Sequence, residues 1–234
     1  MQLMPEMTTR SDTGGLSYHA PMMRSTARAC ACLILAMCGA AAAQPPPKDA
    51  FDRLFAQTIA KRDSIKSIRA RFTETTVSTL LQKPMVSRGT IVAAPPARVL
   101  MTYAEPERRL ISIDRTSLVV FWPDRRERET LDISQTQKRI DQYFTQATVQ
   151  QLRSMFDITM TPDSALRDTD RVEMIPKRKR IRQGLDRLEL WIDRSTLLLR
   201  QMSMSFPGGD RKVIRLDDVE LNVPIVEDTF LIRP

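Results

Sequence analysis

The chain has 234 residues, with 36 lysines and arginines against 28 aspartates and glutamates and a formal charge of +8. Its three cysteines (Cys30, Cys32, Cys38) and its single histidine (His19) all lie within residues 1–43, which read as an extension and leader removed on export. The remainder has no thiol and no imidazole, which excludes thiol nucleophiles, histidine-based triads, zinc sites and redox CxxC pairs.

The leader spans residues 22–43, "MMRSTARACACLILAMCGAAAA". Arg24 and Arg28 supply a positive start, Ala29–Ala43 is an unbroken small-apolar run, and Ala41-Ala42-Ala43 before Gln44 suits signal peptidase. The run is too short to span a bilayer. Residues 1–21 are polar and patternless, and play no part in the expected fold. Leu35–Cys38 approaches a lipobox, but Met37 is bulkier than the small residue that precedes a lipidated cysteine. Three basic and two acidic residues fall in 1–43, so the exported remainder carries +7. That charge suits anionic lipid head groups or an acidic partner rather than nucleic acid. No cofactor is expected, since only four glycines remain and none forms a phosphate loop.

Residues 44–234 read as one domain. Gln44–Lys48 ("QPPPK") is an extended spacer. From Asp49 to about Ile65, Phe51, Leu54, Phe55, Thr58, Ile59 and Arg62 recur at helical spacing. The period then becomes two, with Ile68, Ala70 and Phe72 on one side and Arg69, Arg71 and Thr73 on the other. Further strands are predicted at 86–93, 98–104, 108–114, 117–122 and 126–133, punctuated by Pro95-Pro96, Glu105-Pro106, Asp114-Arg115 and Pro123-Asp124. Two short helices follow, at 134–144 and 148–156. Strands resume at 171–176, 185–192, 197–206 and 212–220, and Asp228–Ile232 is predicted to close the chain as an edge strand. About ten short antiparallel strands cannot stay flat. The expected fold is therefore mainly β: a curled antiparallel sheet, an unclosed half-barrel, with a lid of about three helices over an apolar cavity.

This segment resembles the outer-membrane lipoprotein carrier (LolA-type) family. The resemblance rests on "ARFTETTVSTLLQKPMVSRGTIVAAPPARVLMTYAEPERRLISID", then "VEMIPK" and a closing "DTFLIRP". Phe72 lies in the first strand, Pro84 and Gly89 bracket the second, Pro95 and Arg98 precede the third, and Pro106 leads into the fourth. The chain departs from the pattern at Ala94, where many carriers have a lid-latching arginine, and at Met101, where they have tryptophan. Arg98 is the candidate latch in their place. The resemblance implies a monomeric periplasmic carrier for acyl chains of a lipoprotein or lipid, with an inner-membrane donor complex and an outer-membrane acceptor as partners. A lipid-sensing regulatory module on the same scaffold is the alternative.

Strand alternation nominates the cavity wall as Phe72, Val99, Met101, Tyr103, Ile111, Ile113, Val120, Trp122, Met202, Met204 and Phe206. Methionine suits such a wall because it repacks around chains of different shape. Leu54, Phe55, Ile140, Phe144, Leu152 and Phe156 are the candidate lid residues. At ~0.8 kcal/mol per buried methylene, ten methylenes give about 8 kcal/mol, near micromolar binding, so partial enclosure of a chain is expected. Lys177, Arg178, Lys179 and Arg180 form the densest charge run and are the candidate dock for head groups or an acidic partner. The acid pairs Asp217-Asp218 and Asp168/Asp170 are not read as catalytic. Neighbours on a strand face opposite ways, and the second pair lies in a predicted loop.

Overall fold

The computed structural model describes residues 49–140, 147–163 and 165–232. The leader, the Pro-rich spacer and Phe144 lie outside the described residues. Helix α1 (Ala50–Arg62) begins where the Asp49 side chain accepts the Asp52 backbone N–H at 3.0 Å, and it buries Phe51 and Leu54. An N-cap carboxylate satisfies one of the four free N–H groups of the first turn. Six strands follow as a meander: β1 (Ile68–Val77), β2 (Met85–Ala94), β3 (Arg98–Glu105), β4 (Arg109–Asp114), β5 (Ser117–Trp122) and β6 (Glu127–Asp132).

Helices α2 (Ser134–Ile140) and α3 (Val149–Met155) lie between β6 and β7 (Phe156–Pro162). A capping box starts α3: Thr148 accepts from the Gln151 N–H and Gln151 accepts from the Thr148 N–H, satisfying two end groups at once. The chain returns through β8 (Thr169–Pro176), the single-turn helix α4 (Lys179–Arg182), β9 (Arg187–Asp193), β10 (Leu199–Ser205) and β11 (Arg211–Leu221).

All eleven strands join one antiparallel sheet in the order β6-β5-β4-β3-β2-β1-β11-β10-β9-β8-β7. The first and last strands of the domain are paired at its centre, with Phe72 opposite Leu216 and Glu74 opposite Ile214. The meander runs from that centre to one edge, and the α2–α3 segment connects it to the far edge. Strands β6 and β7 do not pair, so the curled sheet stays open as a half-barrel. Edge strand β6 carries "ERETLD", largely exposed; charges along an unpaired edge discourage pairing with another chain.

Two elements differ from what the sequence predicts. The helical period continues through Phe156, but Phe156 is extended at φ −130°, ψ 145° and opens strand β7. Phe156, Ile158 and Met160 alternate inward there, and no turn residue separates them from α3 to announce the change. Asp228–Ile232 is not an edge strand. Glu227–Phe230 forms a 3-10 turn against β3 and β4, where Ser112 donates to the Phe230 carbonyl at 2.5 Å and Arg128 to that of Ile232 at 3.0 Å. Phe230 and Ile232 are buried by this contact, and the apolar gain from two anchors outweighs pairing at an edge.

Candidate functional site

The residues that alternation nominates lie on β1, β3, β4, β5 and β10, with Phe206 just after β10. Phe72, Val99, Met101, Tyr103, Ile111, Ile113, Val120, Met202 and Met204 are buried in one apolar core, with Trp122 and Phe206 at its margin. Phe72 meets Tyr103 edge-on at 4.9 Å between ring centroids, a favoured aromatic geometry. Ile133, Ile140 and Met155 join the same core. The Tyr103 hydroxyl donates to Glu74 at 3.0 Å, and Lys212 pairs with the other Glu74 oxygen at 3.0 Å. This buried charge pair fixes the register of β1, β3 and β11. A hydrophobicity pattern gives no sign of it.

Open space lies beneath α1, over β8–β10. A cavity of about 100 Å³ is roofed by Phe51, Leu54, Phe55, Thr58, Ile59 and Arg62. Those are the six positions at helical spacing, so the whole inward face of α1 borders the cavity. Leu152 of α3 closes one side, and Val172, Met174, Leu188, Leu190, Ile192 and Leu199 form the floor. A second cavity of about 60 Å³ adjoins it, sharing Thr58, Arg62 and Leu199, and runs on past Ile65, Ile68, Ile91, Ala93 and Leu216. None of the residues nominated as cavity wall lines either space. Of the nominated lid residues, Leu54, Phe55 and Leu152 do line the first, while Ile140 and Phe156 are core residues.

An apolar cavity of ~150 Å³ stays dry and takes one benzene-sized group. The space under α1 is of that order, smaller than a whole acyl chain. The ties on α1 therefore matter. Arg153 of α3 donates through Nε and Nη2 to Asp52 at 3.0 and 2.7 Å, and through Nη2 to Asp49. Its guanidinium also lies 5.4 Å from the Phe51 ring centroid, within cation–π range. The Asp52 backbone N–H, then Arg153, hold Asp49 below the usual carboxylate range. Burial opposes the charge on Arg153, but Asp52 and Asp49 outweigh it and raise its pKa. Arg153 is thus the residue that fastens α1 to α3.

Arg98, the candidate latch, is placed elsewhere. Strand alternation sends it to the outer face, opposite Val99, where its guanidinium stands 5.1 Å from the Phe230 ring centroid. It borders a depression of about 250 Å³ with Lys66, Ser67 and Asn222, away from the helices. Of the basic run, Lys177 is tied down: it donates to the Arg153 carbonyl at 2.9 Å and pairs with Asp157 at 3.0 Å. Arg178, Lys179 and Arg180 are exposed on and beside α4. Three of the four carboxylates in the acid pairs are in ion pairs, Asp217 with Arg215, Asp218 with Arg71 and Asp170 with Arg194.

Residues 63–233 match the family described as outer membrane lipoprotein carrier protein LolA. Among solved structures, an uncharacterized conserved protein from Thermus thermophilus has the same fold at a TM-score of 0.51. It is 9% identical, over 80% of this chain and 95% of that one. Weaker likenesses are a LolA superfamily protein from Nitrosomonas europaea (TM-score 0.36, 13% identity, 73% and 94% coverage) and the Pseudomonas aeruginosa MucA/MucB complex. In the latter the TM-score is 0.43 and the identity 14%, over 71% of this chain and 56% of that one. No curated protein matches the chain.

Proposed function

The chain belongs to the LolA outer membrane lipoprotein carrier family, and from that premise we propose that it is a periplasmic carrier that shields acyl chains between membranes. The observation that carries the reading is the apolar cavity under α1, which shares Thr58, Arg62 and Leu199 with a second, mostly apolar space. A chain entering there replaces water contact with contact to Leu, Ile, Val and Phe side chains, the main source of affinity for such a ligand. The family is described as a lipoprotein carrier, which supports a role in binding. No helix among the described residues is long and apolar enough to cross a membrane.

Cargo would enter by displacement of α1 and be covered as the helix returns. At ~0.8 kcal/mol per methylene, taking up about ten methylenes supplies enough free energy to offset the cost of releasing α1 from its clamp without making cargo release prohibitively slow. The exposed Arg178, Lys179 and Arg180 would bring the carrier to anionic head groups or an acidic partner face.

Lipid extracted from the purified exported protein, identified by mass spectrometry and followed into acceptor vesicles, tests the proposal. Co-purifying lipid that passes to the vesicles supports a carrier. Lipid retained until a protein partner is added supports the sensor alternative, and a protein that binds neither lipid nor an apolar dye contradicts both. Replacing Arg178, Lys179 and Arg180 together by Gln is expected to slow transfer to anionic vesicles and leave the fold intact. Unchanged transfer would remove the docking role.

A further inference from the structure

Arg62 stands out among the cavity residues. It is the last residue of α1, its side chain is only 7% exposed, and it lines both cavities where they meet. Its Nη2 is buried and has no hydrogen-bond partner among the described residues. Its ion pair is with Asp63, Nε to Oδ1 at 3.6 Å, and that carboxylate is 61% exposed. A guanidinium withdrawn from water and left half-satisfied is unfavourable unless something completes its hydrogen bonds. Every other residue lining the first cavity is apolar except Thr58, whose hydroxyl is already donated to the Phe55 carbonyl at 2.9 Å. Among the described residues no carboxylate lines either cavity, and Lys61 adds a second positive group on the side of the smaller one.

We propose that Arg62 is the polar anchor of the site, receiving an anionic oxygen, carboxylate or phosphate, of a ligand whose apolar portion occupies the cavities on either side. This rests on the acyl-chain reading above and adds the chemistry of the ligand's polar end. A planar guanidinium meets a carboxylate or phosphate through parallel N–H donors. An alcohol accepts one such bond and brings no charge. The carboxyl end of α1 works against an anion, but its partial charge is about half that of the guanidinium. Because Arg62 lines both spaces, the arrangement also suits a ligand with apolar groups on both sides of its polar junction.

The test displaces a fluorescent apolar dye with three ligands of equal chain length: palmitate, hexadecyl phosphate and hexadecanol. It is run at about pH 8, where carboxylate and phosphate are charged. The wild-type protein is expected to bind at least one of the two anions about tenfold more tightly than the alcohol, as a charge-assisted pair implies. R62M is expected to lose that preference while binding hexadecanol as before, and R62K to keep part of it. Preference for the phosphate identifies a phospholipid-type head group, and preference for palmitate a fatty acid. Equal binding of all three ligands by the wild type, or a preference that survives in R62M, overturns the role of Arg62 and leaves the apolar-chain reading standing. Failure of the wild type to bind any of the three overturns both.

Discussion

The Arg153 clamp makes a quantitative prediction. Arg153→Met keeps an unbranched apolar stem over Phe51 but removes the two hydrogen bonds to Asp52 and the link to Asp49. Hydrogen bonds to charged groups contribute about 1.5–3 kcal/mol. Asp52 is 9% exposed but Arg153 is 35% exposed, and solvent screening reduces the loss to about 1–2 kcal/mol. For a domain of this size that lowers Tm by about 2–8 °C. If release proceeds by lifting of α1, the same free energy raises the population of the lifted state about 5- to 30-fold, at 1.4 kcal/mol per factor of ten. Stopped-flow transfer of a fluorescent fatty acid to acceptor vesicles should accelerate by a comparable factor. Asp49→Asn, which keeps a capping oxygen for the Asp52 N–H and removes only the charge facing Arg153, should do markedly less. A lowered Tm with an unchanged release rate would refute the gating argument, since the clamp would then be holding the fold and not the entrance.

Three further outcomes follow from the same contacts. Glu74→Gln leaves Lys212 buried without its counter-charge and should cost about 3–5 kcal/mol in chemical denaturation, whereas a paired Glu74→Leu, Lys212→Met change should cost less than the single substitution. Gly89→Ala would set a Cβ 2.0 Å from the Thr102 carbonyl oxygen and 2.9 Å from the Phe72 ring. The backbone must shift to admit it, and a loss of about 1–3 kcal/mol, the range for overpacking, is expected in the same assay. Asp49 and Asp193 both have folded-state pKa values below the ordinary 3.8, Asp49 through the Asp52 N–H and Asp193 through the Ser195 hydroxyl and then Thr196. A depressed carboxylate stabilises above its unfolded pKa and loses that contribution as pH falls through the folded one. These two groups should therefore leave the melting temperature independent of pH near neutrality and lower it below about pH 4.

Inward and outward faces are legible from period-two alternation, because a strand must send successive side chains to opposite sides. Val99, Met101 and Tyr103 are inward as the pattern requires, and the six helical positions of α1 do share one face. What alternation cannot express is how completely an inward face is covered. Ile111 and Val172 have the same signature and are buried in the same core, yet of the two only Val172 also floors the cavity under α1. That difference depends on which distant elements pack over each strand, a long-range outcome with no local trace. The clamp is hidden for a related reason. The family pattern points to an arginine near Ala94, and the parity of Arg98 sends it to the outer face, while the carboxylates that define the tie are about a hundred residues from Arg153. Half of the clamp does leave a mark at the start of α1, since Asp49 and Asp52 both stand in the first turn with only one needed as a cap.

The location of the bound chain is the point on which the account turns. Isotope-filtered NOE spectra of the methyl-labelled protein with a ¹³C-labelled long-chain fatty acid measure it directly. The account predicts cross-peaks from the chain to the methyl groups of Leu190, Ile192 and Leu199 under α1. Cross-peaks confined to Ile111, Ile113 and Leu118, on the β4–β5 side of the sheet, would place the ligand where the core is filled and contradict it.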